Sequence, residues 1–122
     1  MGKRLLIVDD ALFMRMVIGD VAREAGWQVV GEASDGQEAV DLYRRLRPEL
    51  VTLDLVMPRK GGMEALSEIR EMDPNACVVV VSALDQKEHL VNAIRQGASD
   101  FIVKPFERER IIGVFEKVEQ GT

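Results

Sequence analysis

The sequence predicts an α/β domain built on a doubly wound parallel sheet of five strands and five helices. Three observations carry this. Short apolar runs at 5–8, 29–30, 50–53, 78–81 and 101–103 alternate with longer stretches of helical spacing. Four of the runs are continuous and β-branched rather than alternating, as expected of strands covered by helices on both faces. The chain has 122 residues, 47% of them hydrophobic, which suits one ordinary domain spanning 1–122 with a real core. Strands alternating with helices give a βαβ series. Right-handed crossovers leave few topologies, and the flavodoxin-like order 2-1-3-4-5 fits best.

Each helix shows an apolar stripe. In the first, Phe13, Val17 and Val21 fall at i, i+4 and i+8, with Met14 and Ile18 beside them. Gly26 ends it. Ser34 or Asp35 can cap the second helix, with Glu38 in its first turn. Val40, Tyr43 and Leu46 form its stripe, and Pro48 stops it. The third carries Met63, Leu66 and Ile69, with Pro74 after it. The fourth carries Leu90, Val91 and Ile94 and ends at Gly97. The last carries Ile111, Val114, Phe115 and Val118, followed by a short polar tail expected to fray. No internal repeat, linker or low-complexity segment interrupts this series.

Composition narrows the function. A formal net charge of −5 argues against broad nucleic-acid binding through phosphates. A single cysteine, Cys77, permits no internal disulfide and no Cys-rich zinc site, and fits a reducing, cytoplasmic location. The apolar run at 5–8 is too short for a signal peptide or a membrane span. Gly2 is not a myristoylation site by pattern, because Leu6 stands where Ser or Thr is wanted.

In an open parallel sheet, ligands bind beyond the carboxyl ends of the strands, at the switch between strands 1 and 3. Strand 1 ends in Asp9 and Asp10, and strand 3 ends in Asp54. Gathering three carboxylates costs free energy unless a cation sits among them. Oxygen ligands with no His or Cys nearby suit a hard ion, Mg²⁺ being the ordinary choice. Strand 4 ends in Ser82 and strand 5 in Lys104, a hydroxyl and an ammonium suited to phosphoryl transfer onto a carboxylate. Each residue alone has a plain reading: a helix cap for Asp9 and Asp10, a turn residue for Asp54, a loop hydroxyl for Ser82, a solvated lysine for Lys104. Their coincidence at separate strand ends favours a site.

These residues carry a resemblance. Leu6-Ile7-Val8-Asp9-Asp10, Leu53-Asp54-Leu55-Val56-Met57-Pro58 with Gly62, Val81-Ser82-Ala83 and Lys104-Pro105-Phe106 resemble the receiver domain of two-component response regulators. The likeness covers essentially the whole chain and is nearest to the stand-alone chemotaxis regulators of the CheY type. It implies that Asp54 is the phosphorylated aspartate, and that Asp10 ligates Mg²⁺ directly with Asp9 as its partner. The backbone carbonyl of Val56 becomes the third protein ligand. Lys104 pairs with the phosphoryl group and joins Pro105 through a cis peptide bond. Ser82 becomes the switch hydroxyl and Phe101 the switch aromatic, a departure from the tyrosine best known there. Phe101 also reads simply as a strand residue. The implied partners are a sensor histidine kinase as donor, a downstream protein such as the flagellar motor switch, and a possible phosphatase. Neither nucleic acid nor membrane is expected, and the chain is expected to be a monomer.

Val56 and Leu84, two residues after Asp54 and Ser82, are apolar. Without a polar side chain there to orient water, slow hydrolysis of the phosphoryl group is expected. Two rival classes are weaker. A Mg²⁺-dependent phosphohydrolase of the haloacid-dehalogenase type would carry a second acid where Val56 stands. A receiver-like interaction module that never takes phosphate would lack one of the acids or the lysine. Within the favoured class, a phosphorelay intermediate or a receiver cut from a longer regulator are the alternatives. His89 reads as a solvated residue of the fourth helix, and Cys77 as a small buried residue opening strand 4. Gly61-Gly62 is no dinucleotide fingerprint. Arg44, Arg45 and Arg47 read as a solvated helix end.

Overall fold

The structure is a computed structural model that describes residues 2–83 and 87–121. Five strands, β1 (Arg4–Val8), β2 (Gln28–Ala33), β3 (Leu50–Asp54), β4 (Val78–Ala83) and β5 (Asp100–Lys104), alternate with five helices. These are α1 (Leu12–Glu24), α2 (Gly36–Leu46), α3 (Gly62–Met72), α4 (Lys87–Arg95) and α5 (Arg108–Gln120). The strands form one parallel sheet in the order β2-β1-β3-β4-β5, the order expected from sequence. β1 slips register against β2 between Leu5 and Leu6.

The period-2 alternation of strands sorts the core into two layers. Leu6, Val8, Leu53 and Val80 face α2, α3 and α4, where Tyr43, Leu66 and Ile69 are buried. Leu5, Ile7, Leu50, Val79 and Ile102 face α1 and α5, against Ile18, Ile111 and Phe115. The same alternation positions the site. Continuing from Ile7 to Asp9, from Leu50 to Asp54 and from Ile102 to Lys104 keeps all three polar groups on the α1/α5 side.

Helix ends follow the punctuation. Asp35 caps α2 by accepting the backbone N–H of Glu38 at 2.9 Å, and Glu38 accepts the backbone N–H of Ser34 at 2.7 Å. Gly26 and Gly97, beyond α1 and α4, take positive φ of 89° and 107°.

Two helix stripes and one strand differ from expectation. Phe13 is 73% exposed, because each i+4 step rotates the stripe by about 40° and the face that packs runs through Ile18, Val21 and Ala22. Val91 and Ile94 are exposed too: α4 buries Leu90 and Ala93 instead. β5 is an edge strand, so only its Ile102 is fully buried, although its run is continuous and apolar. Cys77 lies just ahead of β4 and is half-buried. Arg44, Arg45 and Arg47 are exposed as expected; Arg47 also closes α2 in the left-handed region, pairs with Asp73 and lies over the Tyr43 ring.

Candidate functional site

The carboxyl ends of β1, β3 and β5 bring four charges together. Asp9, Asp10 and Asp54 each offer a carboxylate oxygen within 4.8 Å of the others. Asp9 and Asp54 are 1% and 6% exposed, while Asp10 faces solvent. The ammonium of Lys104 stands 2.8 Å from Asp9 Oδ2 and 3.7 Å from Asp54 Oδ2.

Neighbouring backbone fixes these acids. Ala11 N–H donates to Asp9 Oδ1 at 2.9 Å, and the Arg15 guanidinium donates to the Asp9 carbonyl at 2.6 Å while pairing with Glu32. Val56 N–H donates to Asp54 Oδ1 at 3.3 Å. Burial and the nearby Asp9 push the Asp54 carboxyl up to about 6, against the pull of Lys104 and of the Val56 N–H.

An all-oxygen set of three convergent carboxylates suits a hard divalent cation, and two of the three acids are too buried for water to screen them. One ammonium offsets only part of their charge. The donor set therefore fits Mg²⁺.

The remaining expected site residues fall around this cluster. Ser82, on β4, is wholly buried and lies opposite Val103 of β5. The Lys104–Pro105 peptide is cis. Phe101 is 37% exposed on the edge strand, and its carbonyl accepts a hydrogen bond from Arg110. Val56 is exposed beside Asp54. Leu84 lies outside the described residues.

Sequence reasoning passed over three contributors. Arg15 has no role in the sequence reading; its position six residues after Asp9 is the available signal. Thr52 is buried with its hydroxyl unpaired among the described residues, on the same face of β3 as Asp54. A lone hydroxyl inside an apolar strand marks it in the sequence. The third is the Asp35–Arg59 ion pair beside the β3–α3 loop. No sequence pattern announces it, because its partners lie 24 residues apart.

The family model of the response regulator receiver domain matches residues 5–116. The chain belongs to the response regulator receiver family. It is similar to the chemotaxis protein CheY of Thermotoga maritima, 49% identical over 120 residues, covering 98% of this chain and all of that protein. CheY of Bacillus subtilis is 45% identical over 117 residues, covering 96% and 98%. Among solved structures, a CheX–CheY–BeF₃–Mg²⁺ complex from Borrelia burgdorferi superposes with a TM-score of 0.90 at 35% identity, covering 95% of this chain and 88% of that one. The chain is thus a two-component response regulator receiver of CheY-like fold. Among the described residues, no helix of this receiver is long and apolar enough to cross a membrane.

Proposed function

We propose that this receiver, as one unit over 1–122, accepts a phosphoryl group on Asp54 and relays it as a change of binding surface in chemotaxis. The observation that carries this is the convergence of Asp9, Asp10 and Asp54 with the Lys104 ammonium 3.7 Å from the Asp54 carboxylate. Asp9, Asp10, Asp54 and the Val56 carbonyl would hold Mg²⁺. When bound, Mg²⁺ supplies positive charge for the oxygens of the transferring group.

The chain's own residues do the rest. With its carboxyl near 6, Asp54 is mostly ionised at neutral pH and free to attack. Its oxygen forms a bond to phosphorus as the bond from phosphorus to the donor's imidazole nitrogen breaks. The electron pair leaves with the imidazole, which takes up a proton. Lys104 holds the oxygens of the incoming group, a role that its placement between Asp9 and Asp54 supports. The product carries up to about two negative charges where the carboxylate carried one. Ser82 then turns to donate to a phosphoryl oxygen, and Phe101 moves inward from its half-exposed place on β5. The surface made by α4, β5 and α5 changes with it.

The donor is a sensor histidine kinase and the target a cytoplasmic protein such as the flagellar motor switch, a reading supported by the near full-length likeness to CheY proteins. A further protein partner, for which a phosphatase is one candidate, is supported by the likeness to a CheY that was solved bound to CheX. Incubation with acetyl phosphate and Mg²⁺, followed by intact-mass measurement, tests the acceptor. The wild-type chain gains one phosphoryl group and Asp54→Ala gains none; equal gain by both overturns the reading. Phosphorylation-dependent capture of motor-switch peptides tests the output.

A further inference from the structure

The loop from β3 to α3, residues 55–61, carries Val56 past the acids and is fastened at both ends. At its far end, Gly62 N–H donates to the Leu55 carbonyl at 3.0 Å. Near the same end, the Lys60 carbonyl accepts the Gly36 N–H at 2.8 Å, at the first residue of α2. A side chain at Gly36 would have its Cβ 2.4 Å from that carbonyl, so the close approach requires glycine.

A charged clasp lies beside this backbone contact. Asp35, 1% exposed, uses one carboxylate oxygen to cap α2 and the other to hold the guanidinium of Arg59. Arg59 sits at φ 61°, in the left-handed region that a non-glycine residue occupies only at a cost. Because the cap locks Asp35 through one oxygen, the other is a fixed anchor for Arg59. The arginine is mostly exposed at its own end, so solvent screens an ordinary pair there; a buried, oriented acceptor changes that balance. Lys60 adds a second tie from the loop to Glu68 of α3.

We infer that the Asp35–Arg59 pair is a positioning device: it holds the 55–61 loop, and with it Val56, in the form that completes the cation site beside Asp54. Neither residue touches the acids; both act through the loop. This rests on the metal-assisted reading of the site given above.

Two variants separate this role from simple charge. Asp35→Asn keeps the α2 cap, since Asn caps as well as Asp, but removes the charged partner. Arg59→Gln removes the guanidinium at an exposed position. If the two acted only through their charge, losing an anion would weaken Mg²⁺ binding and losing a cation would strengthen it. Through the loop, both changes weaken it. Calorimetric titration of the unphosphorylated chain with Mg²⁺ is expected to show about fivefold weaker binding for each variant. The double variant is expected to be no weaker than either single one, because both remove one contact. Amide exchange of Gly36 should quicken in all three, as its tie to Lys60 loosens. Opposite shifts in the two single variants, or unchanged affinity in both, overturn the inference. No Mg²⁺ binding by the wild-type chain overturns the cation site itself, and this inference with it.

Discussion

Lys104 lies closer to Asp9 than to the acceptor carboxylate, 2.8 Å against 3.7 Å. In the metal-free receiver the lysine is therefore the counter-ion of a buried acid as well as a group aimed at phosphate. Lys104→Met should lower metal-free stability by about 3 kcal/mol, since it strands a buried charge. Millimolar Mg²⁺ should recover much of that loss by neutralising the same acids. Urea unfolding with EDTA and with Mg²⁺ checks this, and an equal loss in both buffers counts against it.

The Asp54 carboxyl is pushed up from 3.8 to about 6 by burial and by Asp9. The folded chain thus holds this proton more tightly than the unfolded chain does. Ionising Asp54 costs stability, and the cost grows as pH rises between these two values. Asp54→Asn should then be more stable than the wild type above pH 6, without metal, by about 3 kcal/mol. The gap should close below pH 4. Denaturation at pH 8 and at pH 4 gives the two differences, and a gap independent of pH rejects the argument.

Thr52 hides its hydroxyl in an apolar layer with no partner among the described residues. A buried donor left unpaired costs on the order of 1–3 kcal/mol. Thr52→Val keeps the shape and deletes the hydroxyl, so it should stabilise the fold by about 1 kcal/mol. A loss of stability on thermal unfolding would show that the hydroxyl has a partner.

A Cβ at Gly62 would stand 2.2 Å from the Asp54 carbonyl and 2.6 Å from Leu55 Cα. Both are backbone atoms, so nothing nearby can swing aside. Gly62→Ala should cost more than about 3 kcal/mol or shift the loop, with loss of phosphate uptake. Gly113→Ala, where nothing lies within 4 Å, is the control. It should gain about 1 kcal/mol from helix propensity. Chemical denaturation of both variants reads the contrast.

Val56 exposes an apolar side chain beside the acceptor and offers no hydrogen bond to an approaching water. Val56→Asn should shorten the lifetime of phosphorylated Asp54 severalfold. Stopped-time mass measurement after removal of the phosphodonor follows this, and an unchanged lifetime removes Val56 from the account.

Sheet order and the placement of Asp9, Asp10 and Asp54 were legible because they rest on chain-local signals: apolar runs, their period, and what ends each run. Lys104 was legible in the same way, as the residue that ends the fifth run. The outward-facing Phe13, Val91 and Ile94 were not legible, since a helix offers several candidate stripes and only packing selects one. The expected order already set β5 at one edge, but its run alone conceals how little of it is buried. Its Phe-Ile-Val run reads like a buried strand, yet among the described residues it pairs with β4 alone. Arg59 was invisible because its partner, Asp35, belongs to another βα unit.

The receiver's single tryptophan, Trp27, donates to Glu119 at 3.1 Å and leans on Phe115 at 5.6 Å. It precedes β2, at the pole of the parallel sheet opposite the acids. The molecule therefore carries a built-in optical division of labour. Indole emission is expected to follow folding and to stay unchanged when ions arrive at the far end. A change in it on adding metal would mean that the whole sheet had responded.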